Sequence, residues 1–243
     1  MEKRDFFKTL GLAGLAFAGL KLLDACTTDD STAATATQST NTTGTCTVAP
    51  SETEGPFPTH TPASFVTTDI TGDRTGIPLA ITIAVKNAND SCNALANAIV
   101  DIWHCDKDGN YSEYGGSGMQ STNYTNVHFL RGRQTTNTNG EVNFTSIFPG
   151  WYNGRATHIH VHVYNASGNS LLITQIAFPE GSNNAVVQVN ASATNGYTKG
   201  MSGYTYNASD NVFSDDDAGT EIGTVTGSVA NGFTLQHTIN VSA

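Results

Sequence analysis

Residues 154–163 read GRATHIHVHV, with His158, His160 and His162 at every second position and Ile159, Val161 and Val163 between and beyond them. Alternate side chains of an extended strand share one face. The spacing therefore predicts a β-strand with one apolar and one imidazole face, which belongs in a packed sheet. The imidazole face takes three of the seven histidines in the chain, an arrangement that calls for a task.

Other segments carry strand patterns too. Residues 79–86 alternate Leu79, Ile81, Ile83 and Val85, as a half-buried strand does. Residues 97–105, 185–190 and 233–241 read as further strands. Strand patterns at 127–136 and 140–148 flank NTNG, which reads as a hairpin turn, and NASGN reads as another before a strand at 170–178. Residues 149–155 form a Pro-Gly turn feeding the histidine strand, and 201–221 are a long polar loop with a short aromatic anchor. Many short strands between turns, with no internal repeat, predict an all-β fold: a β-sandwich of mainly antiparallel strands with long loops.

The chain begins MEKRDFFKTLGLAGLAFAGLKLLDAC, a basic start and an apolar run ending in cysteine. KRDFFK resembles a twin-arginine export signal with Lys3 in the first arginine position. LLDAC resembles a lipoprotein signal with Cys26 as the lipidated residue, although Asp24 stands where such signals carry a small or apolar side chain. An ordinary secretory signal cut near Ala25 is the alternative. Residues 27–45 are Thr/Ser-rich and lack large apolar side chains, so they read as a flexible tether. The expected organisation is a signal over 1–26, a tether over 27–45 and a folded domain over 46–243. The expected location is exported, periplasmic or cell-surface, held to a membrane only through a lipid at Cys26.

The formal charge is −10, and removing residues 1–25 takes away four basic and three acidic residues, leaving about −11. Such a chain repels phosphate backbones, which argues against nucleic-acid binding. Arg131, Arg133 and Arg155 are three of the seven basic residues that remain, and they lie near the histidine strand. Their grouping suggests a local task, holding an anion or partial negative charge. With Cys26 assigned to the signal, Cys46 and Cys92 sit in turn-like sequence and Cys105 ends a strand. We pair Cys46 with Cys92 as a disulfide, which an exported domain permits.

A His-x-His pair on a strand suits a metal, whereas an exposed polar face is the usual meaning of such a pair alone. Tyr152 on the preceding turn and Arg155 between them favour the metal, because an ionised phenol is a hard anionic ligand. A phenol, with its ordinary pKa of about 10, ionises at neutral pH only beside a strongly acidic cation such as ferric iron. DKDGNY, residues 106–111, begins like a calcium loop, but Gly109 comes two positions too early. A tight turn placing Tyr111 fits better, with Asp106, Asp108 and Glu113 as solvated loop carboxylates.

TEGPF, VDIWHCDKDGNYS, FLRGRQTTNTNGEVNFTSIFPGWYNGRATHIHVHV and LLITQIAF stand in this order along the chain. The set resembles the intradiol ring-cleavage dioxygenases, the catechol and protocatechuate 3,4-dioxygenases among them, closely over residues 46–178. The resemblance implies a β-sandwich and a non-haem Fe(III) cofactor held by Tyr111, Tyr152, His158 and His160. It implies an active-site arginine at Arg155 and a glutamine at Gln175 that orients the reacting species. Tyr152 would yield its place and act as a base when the diol binds. The implied reaction joins a catechol with dioxygen to give a muconate-type dicarboxylic acid. His162 has no ligand role in that pattern and reads as a polar sheet-face residue. His104 and His128 match no ligand and read as structural. Segments 57–70 and 112–126 should line the ring pocket; which catechol enters, and the oligomeric state, stay open. Two rivals are a surface carbohydrate- or polymer-binding sandwich and a zinc hydrolase, for which a two-tyrosine, two-histidine set is unusual.

Overall fold

The computed structural model describes residues 46–116 and 118–243; the signal segment with Cys26 and the tether lie outside the described residues. Among the described residues, nine strands form two sheets. They are β1 (Pro78–Asn87), β2 (Asn93–Ala94), β3 (Ile99–Trp103), β4 (Arg131–Thr135), β5 (Glu141–Ile147), β6 (His158–Tyr164), β7 (Ser170–Ala177), β8 (Thr224–Ser228) and β9 (Gly232–Val241). One sheet runs β2-β1-β9-β8 with β5 also on β1, and the other runs β4-β3-β6-β7. All pairings are antiparallel except β1 with β9. The all-β sandwich is the fold observed.

The core lies between the sheets and follows the period-two pattern. Leu79, Ile81, Ile83 and Val85 of β1 are buried with Val100 and Ile102 of β3 and with Ile159, Val161 and Val163 of β6. Each such side chain contributes about 1.5–3 kcal/mol on leaving water. A one-residue slip of β6 would drive three imidazoles into this apolar layer, so the alternation also fixes the register.

Three expectations give way. Residues 185–190 are not a strand but a short helix, α1 (Ala185–Asn190). Val186 and Val189, three apart, both bury fully in the main core, and that packing overrides the β-propensity of valine. NTNG does not close a paired hairpin. β4 pairs with β3 and β5 with β1, so the turn carries the chain from one sheet to the other. Asn137 caps the crossover, its Oδ1 accepting from the backbone N–H of Asn139 and Glu141. Asp106 and Glu113 are buried rather than solvated. Asp106 Oδ1 accepts from the N–H of Asp108 and Asn110 and so builds the turn before Tyr111. Glu113 accepts from the His60 N–H and stands 2.9 Å from His128 Nδ1.

Cys46 is joined to Cys92, 46 residues apart, tying the start of the domain to the β1–β2 connection. Closing a loop of that size restricts the unfolded chain. Reduction, or Cys92→Ser, is expected to destabilise the domain by about 2–4 kcal/mol in chemical denaturation. An unchanged midpoint would show that the bridge contributes nothing. Cys105 is a buried free thiol whose pKa burial pushes well up, so it is an inert core residue.

Candidate active site

The face of the four-stranded sheet turned away from the core carries two cross-strand rows. Arg131, Trp103, His160 and Gln175 are register partners in one, and Arg133, Asp101, His162 and Ile173 in the next. His158 pairs with Ala177 one step further along. The strand pattern thus delivers two imidazoles to one end of the face and assigns the third to a different row.

At that end three donor atoms converge. His158 Nε2 and His160 Nε2 are 3.0 Å apart, and the Tyr111 hydroxyl is 3.0 Å from the first and 3.3 Å from the second. His158 Nδ1 lies 2.7 Å from the Ala156 carbonyl, which only accepts, so Nδ1 carries the proton and Nε2 presents a lone pair. Burial, with the Arg155 charge next, lowers the His158 pKa to about 3. Burial and then His158 lower that of His160 well below the usual imidazole value. Both rings are therefore neutral at ordinary pH. Burial holds the Tyr111 phenol well above its ordinary pKa, so it keeps its proton unless a cation lies against it.

The surroundings fix these groups. Trp103 lies parallel on His160, with ring centroids 4.9 Å apart, and Phe57 stacks on Tyr111 at 4.8 Å. Gly55 has φ +69°, and a Cβ there would sit 3.0 Å from the His160 ring, so the TEGPF turn needs glycine to pass over the imidazole. Gly109 has φ +88°, and a Cβ would overlap the Trp151 carbonyl. That glycine lets the turn before Tyr111 pack against the turn that carries Tyr152.

Tyr152 borders the same cleft but is not part of the trio: its hydroxyl donates to the Met119 carbonyl at 2.8 Å. Arg155 also borders it, with Nε donating to Asp210 at 2.9 Å and Nη2 to Gln175 Oε1 at 2.8 Å. Asp210 is fully buried. Burial pushes its carboxyl up, but the hydrogen bonds from Arg155 and the Ala156 N–H outweigh this and hold it below its ordinary value. Gln175 does not border the cleft; it braces Arg155 and donates to the Thr53 carbonyl at 2.9 Å. The cleft holds about 450 Å³ and takes Phe57 and Met119 from the two segments expected to line it.

The three arginines do not share an anion. Arg131 is buried on the carbonyls of Phe57 and Ser112, and Arg133 forms a bidentate pair with Asp101, leaving only Arg155 at the cleft. Proximity to β6 along the chain was a poor guide because β4 is separated from β6 by β3. His162 is taken up locally, with Nε2 at 2.8 Å from Ser170 Oγ and Nδ1 at 2.8 Å from the Tyr164 hydroxyl. His104 bridges the Cys105 carbonyl and Ser146 Oγ in the interior. Asp210 was not singled out in the sequence. It lies in the 201–221 loop, where nothing distinguishes it from its acidic neighbours.

Glu221, in the same loop, is buried with both carboxylate oxygens unpartnered. Burial first, then Glu52, Asp216, Asp215 and Asp210, push its pKa up to about 8. The folded chain holds this proton more tightly than the unfolded chain. The carboxyl's contribution to stability is therefore complete below its ordinary value of 4.5 and is lost as the pH rises towards 8. Glu221→Gln is expected to raise the Tm at pH 8 by roughly a few degrees and to flatten its decline between those limits. Calorimetry that finds the two proteins parallel across the range would remove this assignment.

A model of the family Dioxygenase_C, described as a dioxygenase, matches residues 54–197. The chain belongs to the intradiol ring-cleavage dioxygenase family. Its structure resembles a member of that family from Tetranychus urticae, with a TM-score of 0.69 and 29% identity over 81% of this chain and 95% of that one. It shares the fold of the intradiol enzyme 3-chlorocatechol 1,2-dioxygenase from Rhodococcus opacus 1CP, with a TM-score of 0.55 and 17% identity over 80% and 73% of the two chains. A curated chlorocatechol 1,2-dioxygenase from Rhodococcus opacus is 30% identical over 103 residues, 35% of this chain and 37% of that protein. The match thus spans little more than a third of that relative's length. The site lies on one face of the four-stranded sheet, bordered by the segment around Thr53–Phe57 and by Asn211 of the 201–221 loop.

Proposed function

We propose that this chain cleaves a catechol-type diol between its two hydroxyl-bearing carbons with dioxygen, using a non-haem ferric ion, to give a muconate-type dicarboxylic acid. The convergence of His158 Nε2, His160 Nε2 and the Tyr111 hydroxyl at 3.0–3.3 Å carries this reading. Adjacent donors about 2.0–2.2 Å from one cation stand about 2.8–3.1 Å apart at right angles and further apart at wider ones, so the trio fits a metal. Neutral imidazoles and a buried phenol form a set of lone pairs that suits a cation. His158, His160 and Tyr111 would hold the ion, and Tyr152 would complete the set from the cleft wall. A bound ferric ion would supply Lewis acidity to ionise phenols and a redox centre linking diol to dioxygen.

The protein's own groups do the rest. The Ala156 carbonyl holds His158 in the tautomer that presents Nε2 inward. Tyr152 is half-buried on a turn and bound to one carbonyl, so its oxygen can turn from Met119 into the cleft; ionised by the ion, it would be the group that takes a proton from the diol. Arg155, braced on Asp210 and Gln175, presents a fixed positive charge to negative charge that develops on the substrate. Phe57 and Trp103 keep water from the donor atoms. The N-terminal sequence extends the proposal to an exported protein anchored through Cys26.

Iron-loaded protein supplied with ¹⁸O-labelled dioxygen and a panel of catechols tests the reaction. Both labels are expected in a muconate-type diacid, apart from exchange with solvent. Protein that holds ferric iron yet consumes no oxygen with any catechol would leave a surface binding module as the better account.

A further inference from the structure

The cleft is electrically one-sided. Among the described residues bordering it, Arg155 is the only charged side chain, and it already serves Asp210 and Gln175. Behind Arg155 lies an acidic flank formed by Glu52, Asp210, Asp215, Asp216 and Glu221. Glu52 follows the chain next to Thr53, which borders the cleft, and its backbone N–H is fixed on the Ile173 carbonyl of β7. Glu221 is fixed to the same strand, its carbonyl accepting from the Ala177 N–H, and its buried carboxyl keeps its proton at neutral pH and adds no charge. Burial raises the Glu52 pKa, and Asp215 and Asp210 raise it further while Arg155 opposes them. One guanidinium, already paired with Asp210, therefore stands against a flank whose further charges are Glu52, Asp215 and Asp216.

Among the described residues, no other cation compensates. Lys199 lies in the adjoining hollow behind Tyr152, where Nζ donates to the Trp151 carbonyl and sits over the Trp151 ring. Lys107 pairs with Asp108. Arg131 is buried on carbonyl oxygens and stands 3.5 Å from Glu113. A carboxylate on the ring would have to compete with Asp210 for the one guanidinium and would face the field of the flank. A neutral substituent would meet Phe57, Met119 and the amides of Asn153 and Asn211. An ammonium group would be drawn towards the flank.

We propose that this cleft selects catechols by the charge of their ring substituent, accepting neutral and ammonium-bearing catechols and excluding carboxylated ones. The inference rests on the catechol reading above and names the substrate class within it. The same field would help expel the dicarboxylate product.

Four compounds test it: catechol as reference, 4-ethylcatechol, 4-(2-aminoethyl)catechol and 3,4-dihydroxybenzoate. Oxygen uptake gives kcat/KM with iron-loaded protein, and anaerobic calorimetry gives Kd independently of turnover. The aminoethyl compound is expected to exceed the carboxylate at least about tenfold in both measures, with the ratio shrinking in high salt. Glu52→Lys is expected to cut that ratio several-fold. Turnover and binding of 3,4-dihydroxybenzoate within about twofold of 4-ethylcatechol, in protein that cleaves catechol, would overturn the charge selection and leave the reaction standing. Loss of catechol cleavage as well would sink the reaction, and the anaerobic affinities would still decide the charge preference.

Discussion

Alanine at His158 or His160 is expected to strip the protein of iron, while alanine at His162 leaves it bound. The first two place Nε2 atoms 3.0 Å apart and within 3.3 Å of the Tyr111 hydroxyl, so each supplies one of three converging donors. Loss of an outer hydrogen-bond partner typically weakens a metal site about 10–100-fold, and loss of a ligand should exceed that. His162 spends Nε2 on Ser170 and Nδ1 on Tyr164, in a different cross-strand row. Metal content by mass spectrometry and the phenolate-to-iron colour of the purified protein read the outcome together. Equal loss from all three variants would mean that the two rows do not divide the histidines as described. Circular dichroism on each variant separates loss of metal from loss of fold.

Arg155→Ala is expected to keep its iron and lose about 10²–10³ in kcat. The side chain touches none of the three converging atoms, yet it is the only charge on the cleft wall. Its position is fixed by Asp210 and Gln175, so Arg155→Lys should recover little: a lysine keeps the charge but not the planar fork that meets both partners. Gln175→Ala should lower kcat by less, since Asp210 still holds the guanidinium. If Arg155→Ala instead raises KM with kcat unchanged, the arginine binds substrate without acting on charge that develops during reaction.

Residues 154–163 reveal how far local pattern reaches. Period-two alternation is a property of the extended backbone, so it fixed β6, its apolar face and the shared side of the histidines before any fold was known. The motif turns behave similarly: glycine at 55 and 109 answers a local need for positive φ as well as a close approach. Valines at 186 and 189 mark the limit of such reasoning, because the same residues suit a strand or one side of a helix, and the core they meet decides.

Nearness along the chain grouped three arginines, and only the family resemblance singled out Arg155 among them. Which of them faces the cleft depends on β3 standing between β4 and β6, a matter of strand order in the sheet. The linear order could not find Asp210, which acts only because a loop 55 residues beyond Arg155 folds back beside it. The sequence by itself determined most of the strands and the sandwich class, since these follow from spacing along one backbone, and its family resemblance named the converging donors. Only the tertiary structure decided which charges are spent on one another, which carboxyls are buried, and how Arg155 is held. Those depend on contacts between distant segments, where burial strengthens each charge and the nearest partner claims it.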